Sequence, residues 1–486
     1  MRLRAAIALA LGAIAAVVAA TAVINPSCGG KHVEEGRSDL RFGKKERAAA
    51  AAQAGPSTGS GQAPSTGSGQ ADLDTLRTLP YVGFSSGTRA AEDTGVVSHD
   101  TARAFQGYTL FTSRDLCTTE LIDMSGNIVK AWTQPGLLWA NTKLLPNGDL
   151  LVVGAEKPDE NRPRARNHAP EGNGYLLRLT WDNRLVWKRE LPVHHDVDTL
   201  DDGTIVVLTS ELRSMPEVST RHDTRDDSVS FLSPEGELLE SISVADALHG
   251  APARYRFEYG DAGIWDGWFG HAPYRFQSVR SDRKKGGTID LIHSNAARPI
   301  PSAFADAGDP LRDPANVLVT IRHQDAVVML NRRDKRVVWL WGPGKLLGPH
   351  DATWLPGGRL LIFDNGLGRL WSRVVEVATG SNEIVWEYRA PEQESFYTAS
   401  RGAAQRLPNG NTLITDSDNG RLLEVTSGGE TVWEFWSPHR NQHGQLATIT
   451  RSERLDVESV VRMMRAAQPA PTPDAGTPMP PAVPTD

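Results

Sequence analysis

Six segments of this chain share one strand pattern: GYTLFTS from Gly107, GDLLVVG from Gly148, GTIVVLT from Gly203, NVLVTIR from Asn316, GRLLIFD from Gly358 and GNTLITD from Gly410. Four of them follow a Leu-x-x-Gly turn, opening at Leu145, Leu200, Leu355 and Leu407. A glycine turn followed by alternating apolar residues is a hairpin signal. A second pattern, a turn and then a strand ending in tryptophan, recurs at Trp132, Trp187, Trp339, Trp386 and Trp433, and Ile242 stands at the matching place in the remaining copy. A unit of about 40 to 55 residues with strands of this kind cannot bury its own apolar faces and must stack on its neighbours. Six copies, each able to supply four strands, predict an all-β chain folded as a six-bladed β-propeller. A β-sandwich would not repeat at this period. The first glycine-led strand precedes the first tryptophan strand, and the last tryptophan strand has no successor. The two ends are therefore expected to complete one blade together and close the ring.

The remainder divides by composition. Residues 1–28 read as a signal peptide or a membrane anchor, because the apolar stretch 5–23 follows Arg2 and Arg4 and is long enough to span a bilayer. The folded part is then exported, periplasmic or anchored outside the cytoplasm. Residues 29–100 form a low-complexity linker with the near-duplicates GPSTGSGQ and APSTGSGQ. The propeller is expected over 101–450, and 451–486 is a C-terminal segment with a proline-rich, disordered tail. The only cysteines, Cys28 and Cys117, lie in different segments, which excludes a disulfide framework and leaves export to rest on the N-terminal pattern. A net charge of −7 with no Lys/Arg stripe argues against a nucleic-acid partner. The interval from Ile242 to Trp339 is one repeat too long. Its surplus, around 249–287, is an aromatic-rich insertion holding Tyr255, Phe257, Tyr259, Trp265, Trp268, Phe269, Tyr274 and Phe276. These rings suit either a lid over an aromatic ligand or a pad packed on the blades.

Function is legible in one slot of the repeat. His195 and His350 each stand five residues before the leucine of a glycine turn, where other copies carry Ala140 and Gly402. A slot that accepts alanine or glycine does not need imidazole for packing. In a propeller it opens an inner strand at the mouth of the central channel, so His195 and His350 should meet. The intervening repeat adds His293 and Asn295, then Arg322, at a position held elsewhere by Ser113, Gly154, Thr209, Asp364 and Asp416. His194 is the alternative active member of its pair, and His323 reads as structural, pointing to the opposite strand face. The bland reading has each histidine merely bonding its own loop and Arg322 bridging two blades. Together, three imidazoles, an amide and a guanidinium suit an oxyanion: arginine grips two oxygens, and imidazole is a nucleophile near neutral pH. Fixed positive charge repels a cation and no metal-ligand spacing is present, so neither metal nor cofactor is expected. The Asx-Gly runs at Asp364 and Asp416 read as turns rather than calcium loops. A sulfuryl group with a single negative charge and a loose transition state could be moved by positioning and electrostatics alone.

On these residues the chain resembles the bacterial arylsulfotransferases, which are PAPS-independent aryl-sulfate sulfotransferases with a six-bladed propeller. The resemblance covers about 100–440. It rests on His194-His195-Asp196, on His293 and Asn295, on Arg322 in IRHQDAVVML, on His350-Asp351 before LPGG, and on LIFDNG and AQRLPNGNTLI. It implies that His350 is the nucleophile, taking the sulfuryl group from a phenolic sulfate as a sulfohistidine that a phenol then collects. His195, His293, Asn295 and Arg322 would hold the sulfuryl oxygens, and one of the two histidines would relay the phenol proton. Residues 29–100 look too short and polar for the dimerising N-terminal sandwich of well-known members. A disulfide near the active site is not expected either. A quinoprotein-like dehydrogenase, which shares turn-then-Trp blades, and a non-catalytic surface-binding propeller are the alternatives. Bound quinone colour would mark the first, and failure to release nitrophenol from 4-nitrophenyl sulfate the second.

Overall fold

Gly148, Gly203 and Gly410 take φ values of 86°, 85° and 88°, in the left-handed region that glycine enters without penalty. Each donates its N–H to the carbonyl of the turn's leucine, at 2.9, 3.0 and 2.9 Å. These turns join the innermost strand of a blade to the glycine-led strand beside it. The computed structural model describes residues 84–114, 116–134, 137–156, 174–216, 218, 223–249, 276–277 and 288–467.

The hairpins build six antiparallel sheets around one axis, a six-bladed β-propeller. From the inside outwards, blade one is Arg451–Asp456, Gly107–Ser113, Thr118–Ile122 and Ile128–Thr133. Blade two is Leu137–Leu144, Leu150–Glu156, Gly174–Leu179 and Leu185–Glu190. Blade three is Val193–Thr199, Ile205–Arg213, Thr224–Leu232 and Leu238–Ser243. Blade four is Ser294–Pro299, Asn316–Ile321, Ala326–Asn331 and Arg336–Trp341. Blade five is His350–Leu355, Arg359–Asp364, Arg373–Ala378 and Glu383–Tyr388. Blade six is Ala403–Arg406, Thr412–Asp416, Arg421–Val425 and Thr431–Trp436. The C-terminal strand supplies the inside of blade one, so the ends close the ring as the repeat order predicts. Gly95–His99 adds a fifth strand outside blade six.

The apolar core is a set of layers between blades, one for each neighbouring pair. Tryptophan explains why one position recurs. The indole N–H of Trp132 donates to Thr180 O, of Trp339 to Asn382 Oδ1, of Trp386 to Ser427 O and of Trp433 to Met124 O, at 2.8–3.1 Å. Each bond crosses to the outer turn of the next blade. Trp187 packs at the equivalent Gly236, where a Cβ would lie 3.1 Å from its ring. A large apolar body with one donor at its tip thus seals and pins four joints, Trp187 packs across a fifth, and Ile242 stands at the sixth. The tryptophan repeat therefore belongs to the scaffold.

Three expectations change. The ring does not stop at 101 and 450: Gly95–His99 and Arg451–Asp456 are parts of its sheets, because closing a ring takes strands from both ends. Phe84–Thr88 forms a further pair with Gln445–Ala447, inside the span read as linker. Cys117 is fully buried and disulfide-bonded, so separation in sequence did not exclude a bridge; Cys28 lies outside the described residues. The apolar stretch 5–23, the duplicated linker, the proline-rich tail and the aromatic residues 255–274 lie outside the described residues. Of the insertion, Phe276–Gln277 pairs with Thr288–Asp290, which lies parallel to Thr224–Leu232 and extends the third blade's sheet.

Candidate active site

The slot read from the sequence is a β-bulge. Register shifts between Trp139 and Asn141, His194 and Val197, Ser294 and Ala296, and His350 and Thr353, at the same end of the inner strands of blades two to five. A bulge breaks the side-chain alternation and re-aims a residue, which is why bulges collect beside active sites. Here they turn side chains from three adjacent blades towards one another. His195 and His293 have φ values of 58° and 51°, and Asp351 of 39°. Such left-handed backbone costs about 1 kcal/mol or more per residue and persists where its surroundings enforce it. The bulge also complicates the pairing of slots. By distance to the turn His195 matches His350, but across the strands His194 does, opposite Leu208 as His350 is opposite Phe363.

His194 and His195 meet through their Nδ1 atoms at 2.7 Å, and the rings of His195 and His293 lie edge to face with centroids 5.1 Å apart. His350 completes the group from blade five. Its Nδ1–H donates to Asn365 Oδ1 at 2.7 Å and faces Gly348 O at 3.2 Å. The Asn365 amide is fixed in turn by donating to Thr398 O and Arg401 O. Both partners of Nδ1 are acceptors, which places the proton on Nδ1. His350 Nε2, buried, has no hydrogen-bond partner among the described residues. Arg322 opens a short 3-10 turn; its backbone N–H donates to His293 O at 3.2 Å and its Nη2 to Ala399 O at 3.4 Å. Asn295 donates to Pro349 O at 3.0 Å, beside His350, while its Oδ1 is buried without a partner among the described residues. The structure thus gathers His194, His195, His293, Asn295, Arg322 and His350 at one end of the channel.

Electrostatics keeps two of the imidazoles neutral. Burial, then the charge of Arg322, holds His350 well below the usual histidine range, although its bond to Asn365 works the other way. Burial, then His194, His293 and Arg225, does the same for His195. A buried neutral imidazole keeps its lone pair available to an electrophile.

Several residues escaped the sequence reading. His323 does not sit on the far face of a strand. It belongs to the 3-10 turn with Arg322, and its ring lies 4.5 Å from that of His293. Burial pushes it down to about 3, and its Nδ1–H donates to Asp290 O at 2.8 Å. Asp290 Oδ2 accepts from His293 Nδ1 at 2.6 Å. Arg225 reaches Asp227 at 3.0 Å and Asp290 at 3.8 Å, and Asp227 lies 3.4 Å from His194 Nε2. Arg225 and Asp227 sit in Thr224–Leu232, a strand buried along its whole length. A charged run inside an apolar strand was the available signal. Asn365, read as part of a turn, is instead the partner that orients His350. Asp290, His293 and His323 offer atoms within 4.8 Å of one another, close enough to hold a cation. Asp290 already bonds to His293 and faces Arg225, however, so the set suits a carboxylate–imidazole pair better than a metal.

Beneath the histidines lies a charged plug. Asp196 and Asp351, each next to a site histidine, share Arg298 at 2.7 and 3.3 Å and Arg451 at 3.4 and 2.9 Å. Asn141 donates to Asp196 at 2.6 Å, and Lys143 lies 3.2 Å from Asp198. The inner strands of blades one to five are thereby tied together directly under the bulges.

Comparison with protein families matches residues 165–438, more than half of the chain, to Arylsulfotransferase (ASST). No curated protein matches. Among solved structures, the chain is similar to a protein of unknown function from Bacteroides caccae, at 14% identity and a TM-score of 0.42, over 72% of this chain and 98% of that one. It is also similar to a streptogramin B lyase, at 12% identity and a TM-score of 0.37 over 77% and 96% of the two chains. A virginiamycin B lyase from Staphylococcus aureus gives 12%, 0.37, 72% and 87%. Similarities at this level bear on neither activity nor substrate.

Proposed function

As a member of the arylsulfotransferase family the chain is a transferase acting on small aryl substrates, and we propose that it passes a sulfuryl group from a phenolic sulfate to a phenol through a sulfohistidine at His350, without PAPS as donor. His350 Nε2 attacks sulfur and the aryl C–O–S linkage opens at its S–O bond. Arg322, His195 and Asn295 hold the three sulfuryl oxygens with His293 beside them, and His194 orients His195 through their shared Nδ1 contact. The acceptor phenol then attacks the sulfur from the vacated side and frees His350.

The observation that carries this reading is the state of His350: Nδ1 tied to Asn365, and Nε2 buried without a partner among the described residues, in a cluster that also contains Arg322. A nucleophile with a fixed tautomer beside a guanidinium able to grip two oxygens is what an anionic electrophile requires. The transition state is loose, so little is asked of the protein beyond position and electrostatic complementarity. The test is intact mass after mixing with 4-nitrophenyl sulfate and no nucleotide. Wild type should carry one sulfuryl adduct and His350→Ala none, with turnover down on the order of 10⁴-fold. An equal adduct on both proteins would move the nucleophile elsewhere.

A further inference from the structure

We infer that Asp290 and His293 form the proton relay of this transfer, His293 carrying the proton on Nε2 and Asp290 acting as the positioning residue behind it. The inference rests on sulfuryl transfer through His350 and assigns the proton, which that reading leaves open between two histidines.

The buried imidazoles of the site differ in what stands behind them. The Nδ1 of His350 faces a neutral amide oxygen at 2.7 Å. The Nδ1 of His195 faces another imidazole, also at 2.7 Å. The Nδ1 of His293 faces a carboxylate, at 2.6 Å. Only the last partner carries a charge that can offset an imidazolium, and it also fixes the tautomer. With Nδ1 committed to Asp290, His293 exchanges protons through Nε2. Asp290 arrives there because Thr288–Asp290 is paired alongside the buried strand Thr224–Leu232, three residues before His293. The groups facing the pair are His195, with centroids 5.1 Å from His293, His323 at 4.5 Å, and Arg225, which stands 3.8 Å from Asp290 and 3.0 Å from Asp227; the backbone N–H of Arg322 donates to His293 O. Burial works to raise the Asp290 carboxyl, but His293, His323 and Arg225 outweigh it and hold the group well below the usual range. His323 and His195 are both pushed towards the neutral form, chiefly by burial, which leaves them to act as hydrogen-bonding groups.

In the first half-reaction the N–S bond to His350 forms as the S–O bond of the aryl sulfate breaks. The electron pair of that bond stays on the phenolic oxygen, which takes the proton from His293 Nε2. His293 becomes neutral. In the second half the acceptor phenol returns a proton to His293 Nε2 as its oxygen attacks sulfur, and the bond to His350 breaks. Protons and charge balance over the cycle without a further reactant.

A proton donor matters most when the leaving phenolate is basic. Asp290→Asn should therefore lose roughly 10²-fold in kcat/KM with phenyl sulfate, and less than about 10-fold with 4-nitrophenyl sulfate, whose phenolate leaves readily. His195→Gln, which loses a contact to the sulfuryl group, should lose equally with both donors. An equal loss for Asp290→Asn across donors, no loss, or a graded loss in His195→Gln would each overturn the relay. Should Asp290→Asn not fold, His293→Gln in the same donor series decides in the same way. The His350 adduct separates the two readings. An adduct retained in Asp290→Asn without the graded loss overturns the relay alone, and an adduct missing from wild type overturns the sulfohistidine and the relay with it.

Discussion

Blades three to five and blades six, one and two are built to one plan, yet the two halves of the ring hold different chemistry. Both halves have glycine turns, and on both sides an indole crosses to the next blade, Trp339 and Trp386 in one and Trp433 and Trp132 in the other. Between blades one and two, Thr112 Oγ1 lies 2.8 Å from Thr119 and from Thr142, and between blades six and one Thr415 meets Ser452 at 2.6 Å. These hydroxyls satisfy one another. In the other half the corresponding region holds His194, His195, His293, Arg322 and His350, and His350 Nε2 is left without a partner among the described residues. The difference teaches that the scaffold does not need the histidines. A buried polar atom without a partner is a cost to folding that the Thr112, Thr119 and Thr142 hydroxyls avoid, so an imidazole nitrogen held in that state marks where stability gives way to reactivity.

The comparison is broken most forcefully from the reactive half. Arg322→Lys keeps the charge but loses the planar fork that matches two sulfuryl oxygens. Turnover of 4-nitrophenyl sulfate should fall roughly 10²-fold or more, with the melting temperature little changed. Thr142→Val in the hydroxyl half should do the reverse, leaving turnover near wild type and lowering stability by about 1 kcal/mol. If both variants lost activity alike, the division of the ring would be wrong.

A subtler test lies in the plug, where the halves meet. Burial pushes the Asp351 carboxyl up to about 7, with Arg298 working against it. A folded-state value above the unfolded one favours the protonated group, so its contribution to stability is full below the unfolded value and is lost as pH rises through about 7. His195 and His350 are held below their ordinary value, so their contribution is full above about pH 6.5 and is lost as pH falls. The two windows overlap between the unfolded values, 3.8 for the carboxyl and 6.5 for the imidazoles, where the groups act with opposite signs. Stability measured by chemical denaturation should therefore rise towards neutral pH less steeply than the two imidazoles alone would make it, the carboxyl taking at most about 1.4 kcal/mol per pH unit from the slope. Asp351→Asn should remove that opposition and steepen the rise; an unaltered slope would show that the plug's proton sits elsewhere.

Much of this was legible in the residues. The turn glycines and the tryptophans repeat because most blades use the same turn and most joints the same seal, so six blades could be counted from sequence. The slot of His195 and His350 stood out for a related reason, since a departure is visible only against a repeat. What supports those histidines was harder to read. Asp290, Asp227 and Arg225 come from a buried strand and the short strand beside it, and no repeat position marks them. Asn365 was hidden because an Asx-Gly sequence has a sufficient local explanation in a turn. His323 was not legible because nothing in the sequence marks the end of the strand at Ile321, where the chain enters a 3-10 turn. The bulges left no signature: one extra residue in an inner strand alters side-chain direction without altering the pattern of apolar residues.

The smallest expected effect concerns the joints that both halves share. Trp433 is fully buried, stacks on Phe435 with the ring planes 4° apart, and donates to Met124 O across the join between blades six and one. Trp386 makes the same kind of bond to Ser427 O, but in an exposed setting where water can replace it. Trp433→Phe should therefore cost more than the single hydrogen bond, about 1 kcal/mol, because Met124 O is left buried without its donor and a smaller ring leaves space in the layer. Trp386→Phe should cost less than that. If the two variants were equally destabilised, the indole bonds would contribute through the ring's shape alone, and the seal between blades would owe its strength to apolar burial rather than to the donor at its tip.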